Sequence, residues 1–584
     1  MPALARPHTI PHPLPAPTAT TTVAPATSTA LPANQTAPTP GAGGTRAAEM
    51  PAQPPHGVAG EDSIGDPYIP ELGNTGYDVQ HYTLALDLDP ATEQLTATVS
   101  ISATATLADL GRVSLDFIGY EVSAVRVGGQ LATFYRSPKK LSVDLPQPLA
   151  MGAPLLIEVD YHGQMKPWPS TWAPAELGLR VQEGKRIEAF AEPDGARAWF
   201  PANDHPLDKA TFRVEATVPI GLTAVSNGTL VATRPAGTKT TFIWTMDAPM
   251  ATYLLTLAVG DYQRLDGPPF GDVTIRHYLF THDVARASPF LSQTNEILAF
   301  LSKQIAPYPF GEFGHVEVDL RGLAMETQTM VMMDRGMLEK SIASRVMAHE
   351  AAHHWFGDSV SPATWADIWL NEGFATYFEA LWSAHDGKSL EGTFGEMERV
   401  VLERANQENS PLDRPKPRLM FGANTYLKGA WVLHMLRQEI GDEAFFETLH
   451  RYYTRFAGGN ARTADFQAVA AEVSGRDLTT FFQQWVFEPG EPNILASWVV
   501  LPTGDGTTVE LQLCQQQPTP FVVPLDLSLS APGNVRYEST VVDERQERLT
   551  VTLPFTPTNL TLDPDQHLLA DTSINKVESL VPCK

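Results

Sequence analysis

Apolar and polar residues alternate along much of the first half of the chain, the pattern of strands that bury one face. Two clear runs carry apolar side chains at every second position: Tyr82, Leu84, Leu86, Leu88, then Leu95, Ala97, Val99, Ile101. Similar short runs, separated by turn residues, continue to about residue 265. The sequence therefore predicts a large N-terminal all-β domain, which we assign to residues 66–275.

The hydrophobic period changes from Ser288 onward. Apolar residues recur at helical spacing in residues 290–305, 341–356, 365–384 and 426–441. After Pro489 alternation returns, as in Leu525, Leu527 and Leu529. We expect a multidomain α+β protein with a mainly helical domain at 276–490 and a small C-terminal β-sandwich at 491–584.

Residues 1–65 are rich in Pro, Thr and Ala, a composition that cannot bury a core, so we expect a disordered tail. The start of the chain lacks the layout of a secretion signal. No apolar run reaches the ~18–20 residues of a transmembrane span, so the sequence predicts a soluble protein. The tail suggests export to the cell surface or the extracellular space, and a cytoplasmic location is the alternative.

Charge and cysteine content narrow the functional classes. Acidic residues outnumber basic ones 67 to 41, for a net charge of -26, which disfavours nucleic acid as a partner. Cys514 and Cys583 are the two cysteines of the chain. They cannot build a cysteine metal cluster, so a metal site must use His and carboxylates. The sequence leaves open whether the two pair.

A His-Glu-x-x-His motif lies in the second predicted helix. His349 and His353 are four residues apart, so both imidazoles project from one helix face and can bind one metal ion. Glu350 follows the first of them, where its carboxylate can act as general base on a water molecule. Alone, the motif is also compatible with polar residues on a solvated helix face.

A third candidate ligand follows at a fixed distance. Glu372 lies in the next predicted helix, within the segment Trp369 to Ala375. Catalytic zinc typically binds three protein side chains and leaves a fourth position open. His349, His353 and Glu372 therefore predict one zinc ion per chain.

The motif, the Glu separated from it by eighteen residues and the flanking residues 355–358 and 369–373 resemble peptidase family M1, the gluzincin aminopeptidases. The resemblance extends over residues 75–490 as an ordered set of motifs. It implies a thermolysin-like zinc catalytic domain behind an N-terminal β domain. It also implies a metallo-aminopeptidase that removes residues from the free amino end of peptides.

Residues 322–327 resemble the family's G-x-M-E-N exopeptidase loop. The resemblance assigns Glu326 to the substrate's free α-amine and Ala324 and Met325 to substrate binding. Leu323 stands where the motif carries Gly, and Thr327 replaces its Asn. These departures concern the backbone contacts of the loop and the first-residue pocket.

Two further segments resemble family motifs. Glu192 stands five residues before Arg197 and resembles the second group that binds the substrate amine. The segment Tyr426 to Ala430 resembles a Y-x-K-G-A helix start, which implies that Tyr426 stabilises the tetrahedral intermediate.

Two other functions remain possible from the sequence alone. Members of the family include an epoxide hydrolase, so a small-molecule hydrolase on the same site is the first alternative. A non-catalytic scaffold is the second, and the simultaneous presence of His349, His353, Glu372, Glu350 and Tyr426 argues against it. The expected partners are peptides with a free N-terminus.

Overall fold

The computed structural model describes residues 50–173, 175–338, 342–404, 407–503, 506–580 and 582–583. The chain divides into a unit Met1–Ala52, of which residues 50–52 are described, and a compact unit Gln53–Lys584. Residues 1–49 of the predicted tail therefore lie outside the described residues. The strands and helices of the described ranges belong to the compact unit.

Part of the segment 1–65 that the sequence predicts as a tail is folded. Val58–Ala59 pairs in parallel with the strand that contains Leu110 and Arg112. Asp66 is buried and lies 2.9 Å from the Nε2 atom of His205. Residues 53–72 thus form an N-terminal arm whose polar groups find partners in the β domain. The predicted tail 1–65 therefore includes residues of this arm that are folded.

The N-terminal β domain is built around a large sheet whose predicted core positions Tyr82, Leu84, Leu86 and Leu88 are all buried. The eight strands of this sheet lie in the order Thr229–Ala236, Lys239–Met250, Ala210–Pro219, Tyr77–Asp89, Gln94–Ala105, Pro154–Gln164, Glu121–Val127, Gln130–Leu131. A four-stranded sheet has the order Val58–Ala59, Leu110–Asp116, Lys140–Leu149, Phe134–Arg136. A five-stranded sheet has the order Trp168–Pro169, Glu176–Gln182, Arg186–Phe190, Leu257–Gly260, Thr223–Ser226.

The domain that the sequence predicts at 276–490 combines a five-stranded sheet with helices. The sheet has the strand order Tyr262–Asp266, Thr274–Phe280, Glu312–Val318, Val331–Asp334, Ala324–Met325, so its first strand precedes the predicted boundary at 275/276. The helices are α1 Val284–Leu291, α2 Thr294–Gln304, α3 Ala343–His353, α4 Trp369–His385, α5 Leu390–Arg404, α6 Gly429–Ile440, α7 Asp442–Phe456, α8 Thr463–Ser474 and α9 Thr479–Phe482. Ser361–Pro362 and Asn460–Ala461 form a two-stranded sheet.

Shorter turns connect these elements. They are the 3₁₀ turns Ala196–Ala198, Thr252–Leu254, Trp365–Asp367 and Pro417–Leu419 and the π-helical turns Asn424–Lys428 and Gln483–Phe487. The predicted helix at 426–441 therefore begins as a π-helical turn and becomes α-helical at Gly429.

Helices α4 and α6 cross in close contact at two glycines. A Cβ on Gly429 would lie 2.9 Å from the Cα atom of Gly373, and a Cβ on Gly373 would lie 3.0 Å from the Cα atom of Gly429. The two backbones can approach this closely because neither residue carries a side chain. Since Gly373 follows Glu372, the crossing brings the start of α6 beside the predicted metal ligand.

The C-terminal domain is a sandwich of two sheets. One has the strand order Gln546–Leu553, Gly506–Gln515, Asn493–Thr503, Asp571–Lys576, and the other has the order Asn534–Val542, Val523–Ala531, Asn559–Leu562. Cys514 and Cys583 form a disulfide, which settles the pairing that the sequence leaves open. The predicted order of a β domain, a helical catalytic domain and a C-terminal β domain is confirmed. No described helix has the length and apolar character needed to span a bilayer.

Candidate metal centre

Helix α3 presents His349 and His353 on one face, as the four-residue spacing predicts. Their ring centroids are 4.9 Å apart. Helix α4 packs against α3 and brings Glu372 between them, so that its Oε2 atom lies 3.4 Å from the Nε2 atom of each histidine. The structure therefore brings the three predicted ligands together.

These three side chains fit a zinc ion. One ligand atom from each lies within 4.8 Å of the other two. Within the described residues, the buried Oε2 atom of Glu372 accepts no hydrogen bond. Burial alone would raise the pKa of Glu372, but His353 and His349 outweigh it and lower this pKa to about 2. Two imidazole nitrogens and an ionised carboxylate form the donor set of known catalytic zinc sites.

Glu350 lies on the same helix but outside the ligand set. It is 6% exposed, and a carboxylate oxygen lies within 4.8 Å of ligand atoms of His353 and Glu326. Burial raises the pKa of Glu350 to about 8, and the charges of His349 and His353 oppose that rise. Its side chain lies beside the candidate metal site, where an ionised carboxylate can accept a proton from water.

Glu326 follows the edge strand Ala324–Met325 of the catalytic sheet. This strand pairs antiparallel with Val331–Asp334, with Met325 opposite Met332. Met325 is buried and Ala324 is half-buried. The hydroxyl of Thr327, which replaces the motif's Asn, donates a hydrogen bond to the carbonyl of Met330 and so closes the turn after Glu326.

Glu192 belongs to the N-terminal β domain and lies near enough to Glu326 for the two charges to interact. Both carboxylates are buried, and the Oε1 atom of each accepts no hydrogen bond among the described residues. Burial, with the nearby charge of Glu326, raises the pKa of Glu192 well above its ordinary range, and burial likewise raises the pKa of Glu326. Two acids in one buried site favour a cationic ligand, which would remove the repulsion between them.

Tyr426 completes the group from the π-helical turn Asn424–Lys428. Its ring stacks on the ring of His349 with centroids 6.2 Å apart. Burial, followed by the charge of Glu372, raises the pKa of Tyr426 well above its ordinary value, so the phenol keeps its proton. It is therefore a hydrogen-bond donor facing the metal centre.

The sequence interpretation missed Glu379 and Arg345. The Oε2 atom of Glu379 lies 3.3 Å from the Nδ1 atom of His349, and Arg345 lies 2.6 Å from the other oxygen of Glu379. The available signal was the seven-residue step from Glu372, which keeps Glu379 on the same face of α4. An acid at that spacing is also common on exposed helix faces, so the sequence did not distinguish it.

Two family models match this chain. Residues 291–485 match the Peptidase family M1 domain, and residues 78–254 match the Peptidase M1 N-terminal domain. The solved M1 zinc metallopeptidase of Deinococcus radiodurans is 32% identical, with a TM-score of 0.67, over 73% of this chain and 96% of that chain. A mutant of that metallopeptidase bound to a Tyr-Ser-Ala substrate has the same identity and TM-score, with 97% of its chain covered.

Curated relatives are more distant and longer. A leucyl aminopeptidase of Saccharolobus solfataricus is 26% identical over 66% of this chain and 50% of its own length. Aminopeptidase M1 of Arabidopsis thaliana is 28% identical over 52% of this chain and 37% of its own length. The chain thus spans about half, or less, of these curated relatives.

Proposed function

Since this chain belongs to peptidase family M1, we propose that it is a zinc-dependent aminopeptidase that hydrolyses the first peptide bond of peptides with a free N-terminus. The observation that carries the proposal is the pair of buried acids beside the metal centre. Glu326 and Glu192 each hold one carboxylate oxygen without a hydrogen bond in the described part of the chain. An ammonium group supplies both the charge and the donors that these oxygens lack.

An ammonium group of this kind distinguishes the first residue of a peptide from all others. Lysine side chains also carry one, but on a flexible stem rather than beside a peptide bond. When Glu326 and Glu192 hold the α-amine, the first peptide bond lies toward His349 and His353. The acids therefore select the end of the chain, and the metal centre selects the bond.

The reaction follows from the groups around that bond. His349, His353 and Glu372 would hold the zinc ion, which would supply Lewis-acid polarisation of the carbonyl group and lower the pKa of a water molecule. Glu350 takes a proton as the water oxygen attacks the carbonyl carbon, and later gives this proton to the leaving amine. Tyr426 donates a hydrogen bond to the developing oxyanion, which stabilises the transition state more than the ground state.

The order of product release tests the proposal. A decapeptide with ten distinguishable residues is incubated with zinc-loaded protein and followed by mass spectrometry. We expect successive loss of single residues from the amino end, with every truncated product keeping the original carboxyl end. A product that keeps the original amino end and lacks carboxyl-terminal residues would contradict the proposal.

We also infer that the protein works in an oxidising compartment, as an exported enzyme. The Cys514–Cys583 disulfide supports this inference, because cytosolic thiols are generally kept reduced. Thiol alkylation of protein taken directly from its native cells, followed by mass spectrometry, tests it. Two alkylated cysteines in the native protein would favour the cytoplasmic alternative.

A further inference from the structure

We propose that the buried ion pair between Lys428 and Glu491 positions Tyr426 for catalysis. Because Glu491 belongs to the linker that precedes the C-terminal sandwich, the position of this linker affects the kcat that Tyr426 supports. The inference rests on the proposed function, in which Tyr426 contacts the reacting carbonyl group. Lys428 and Glu491 are positioning residues and act through that contact.

The pair is buried and specific. The Nζ atom of Lys428 donates hydrogen bonds to the carbonyl of Gly490 at 2.7 Å and to the Oε1 atom of Glu491 at 3.1 Å. The side chains of Lys428 and Glu491 are 0% and 7% exposed. A buried ammonium requires such partners, because an unpaired charge away from water is strongly unfavourable.

The ion pair holds the C-terminal end of the turn that carries Tyr426 in place. Lys428 is the last residue of the π-helical turn Asn424–Lys428. At the other end, the Nδ2 atom of Asn424 donates to the carbonyl of Glu408 at 2.6 Å and to that of Ser410 at 3.3 Å. Tyr426 therefore lies midway between two fixed points. A π-helical turn is rare and needs outside contacts to persist, which these two anchors provide.

The two anchors differ in what they connect. Asn424 bonds to residues of the same connection between α5 and α6. Lys428 instead bonds to Gly490 and Glu491, which lie three and two residues before strand Asn493–Thr503 of the C-terminal sandwich. The position of the tyrosine therefore depends on where this linker lies. Loss of the negative charge of Glu491 leaves the buried ammonium of Lys428 without a counter-ion, so the turn must shift or admit water.

A purely structural role for the pair makes a different prediction. Loss of a stabilising contact would lower the amount or lifetime of folded protein, and so lower kcat per total protein by the same factor with or without the phenol of Tyr426. Loss of tyrosine positioning lowers kcat with little change in KM, because the phenol acts mainly after charge develops on the carbonyl oxygen. It also has no consequence in an enzyme that already lacks the phenol.

The test is a double-mutant cycle on the zinc-loaded full chain. Glu491→Gln is made in wild type and in Tyr426→Phe, and kcat, KM and zinc content are measured with an aminoacyl fluorogenic substrate. The matched control is Glu488→Gln, the same change three residues earlier in the same linker. Glu488 is exposed and accepts a hydrogen bond from Gln483 at 2.9 Å.

We expect Glu491→Gln to lower kcat roughly ten- to a hundredfold in wild type, the cost of a small misplacement of a catalytic group. In Tyr426→Phe the same change should lower kcat less than twofold, while zinc content and the Glu488→Gln control stay at wild-type values. Equal losses in both backgrounds, or a Tyr426→Phe enzyme with wild-type kcat, would overturn the inference.

Two further outcomes are decisive. If Glu491→Gln does not fold, Lys428→Met with Glu491→Gln takes its place in the cycle, because this pair of changes leaves no buried charge unpaired. A wild type that releases no amino-terminal residue overturns the proposed function itself. An active wild type whose cycle is additive overturns only the positioning role.

Discussion

The Nδ1 atom of His349 lies 3.3 Å from the Oε2 atom of Glu379, while the Nε2 atom of the same ring lies 3.4 Å from Glu372. One ring nitrogen therefore faces the metal centre and the other faces a carboxylate behind it. Such a carboxylate fixes the tautomer and orientation of a metal-binding histidine and makes it a better ligand. Arg345 in turn holds Glu379 at 2.6 Å.

We expect Glu379→Gln to weaken zinc binding about ten- to a hundredfold, because the amide is a poorer acceptor for the imidazole N–H group. Competition with a chromophoric chelator measures the affinity independently of catalysis. Glu403→Gln on α5 is the control, since Glu403 is exposed and pairs with Arg399. A wild-type zinc affinity in Glu379→Gln would refute the assignment.

Glu350→Gln should retain one zinc ion per chain and lose turnover by at least about a hundredfold, because an amide cannot accept a proton from water. Elemental analysis gives the zinc content, and steady-state kinetics give kcat. Glu372→Ala, by contrast, should lose both the zinc ion and turnover. Folded wild-type protein that holds no zinc, and gains no activity when zinc is added, would contradict the ligand assignment.

Gly373→Ala should lower the free energy of unfolding by about 1–3 kcal/mol, because the new Cβ meets the backbone of Gly429 at the crossing of α4 and α6. Urea denaturation measures the change. Gly311→Ala is the control, since a Cβ there has no neighbour within 4 Å. Equal stabilities of the two variants would show that the crossing tolerates a side chain.

Asp66 links the N-terminal arm to His205 and should make stability depend on acid pH. Burial opposes the carboxylate, but the contact with His205 and the hydrogen bond from the backbone N–H of Tyr68 outweigh it and lower the pKa of Asp66 below 3.8. A lowered folded pKa gives stability that is complete above the ordinary carboxyl range, about 4, and is lost as pH falls through the folded value.

Asp66→Asn should therefore cost about 1–3 kcal/mol in unfolding free energy at pH 7, and the difference from wild type should shrink below pH 4. Urea unfolding at pH 7, 4 and 3 measures both effects. Asp565→Asn, at an exposed position, should match wild type at each pH. A cost at Asp66 that stays constant from pH 7 to pH 3 would contradict the assignment.

Local and periodic features were predictable from the sequence. His349 and His353 follow from helix geometry, and the sheet positions such as Leu84 follow from strand alternation. Glu372 was identified through its distance along the chain, and the packing of α3 on α4 then brought it to the histidines. These features depend on spacing within one element or between two consecutive helices.

Contacts between distant segments were not predictable in this way. The bond from Lys428 to Glu491 joins residues 63 positions apart, and its specificity depends on burial that a single sequence does not reveal. The N-terminal arm was missed for a related reason. Its composition resembles a tail, but Val58 pairs with a strand that contains Leu110, a contact set by tertiary structure.

The proposed function depends on recognition of the substrate's free ammonium group by Glu326 and Glu192. The most direct measurement is kcat/KM for one peptide with a free amino end and for the same peptide acetylated there, in wild type and in Glu326→Gln. We expect a strong preference for the free peptide in wild type, reduced about ten- to a hundredfold in the variant because the free peptide is cleaved more slowly. A wild type that cleaves both peptides equally well would contradict it, even with the zinc site intact.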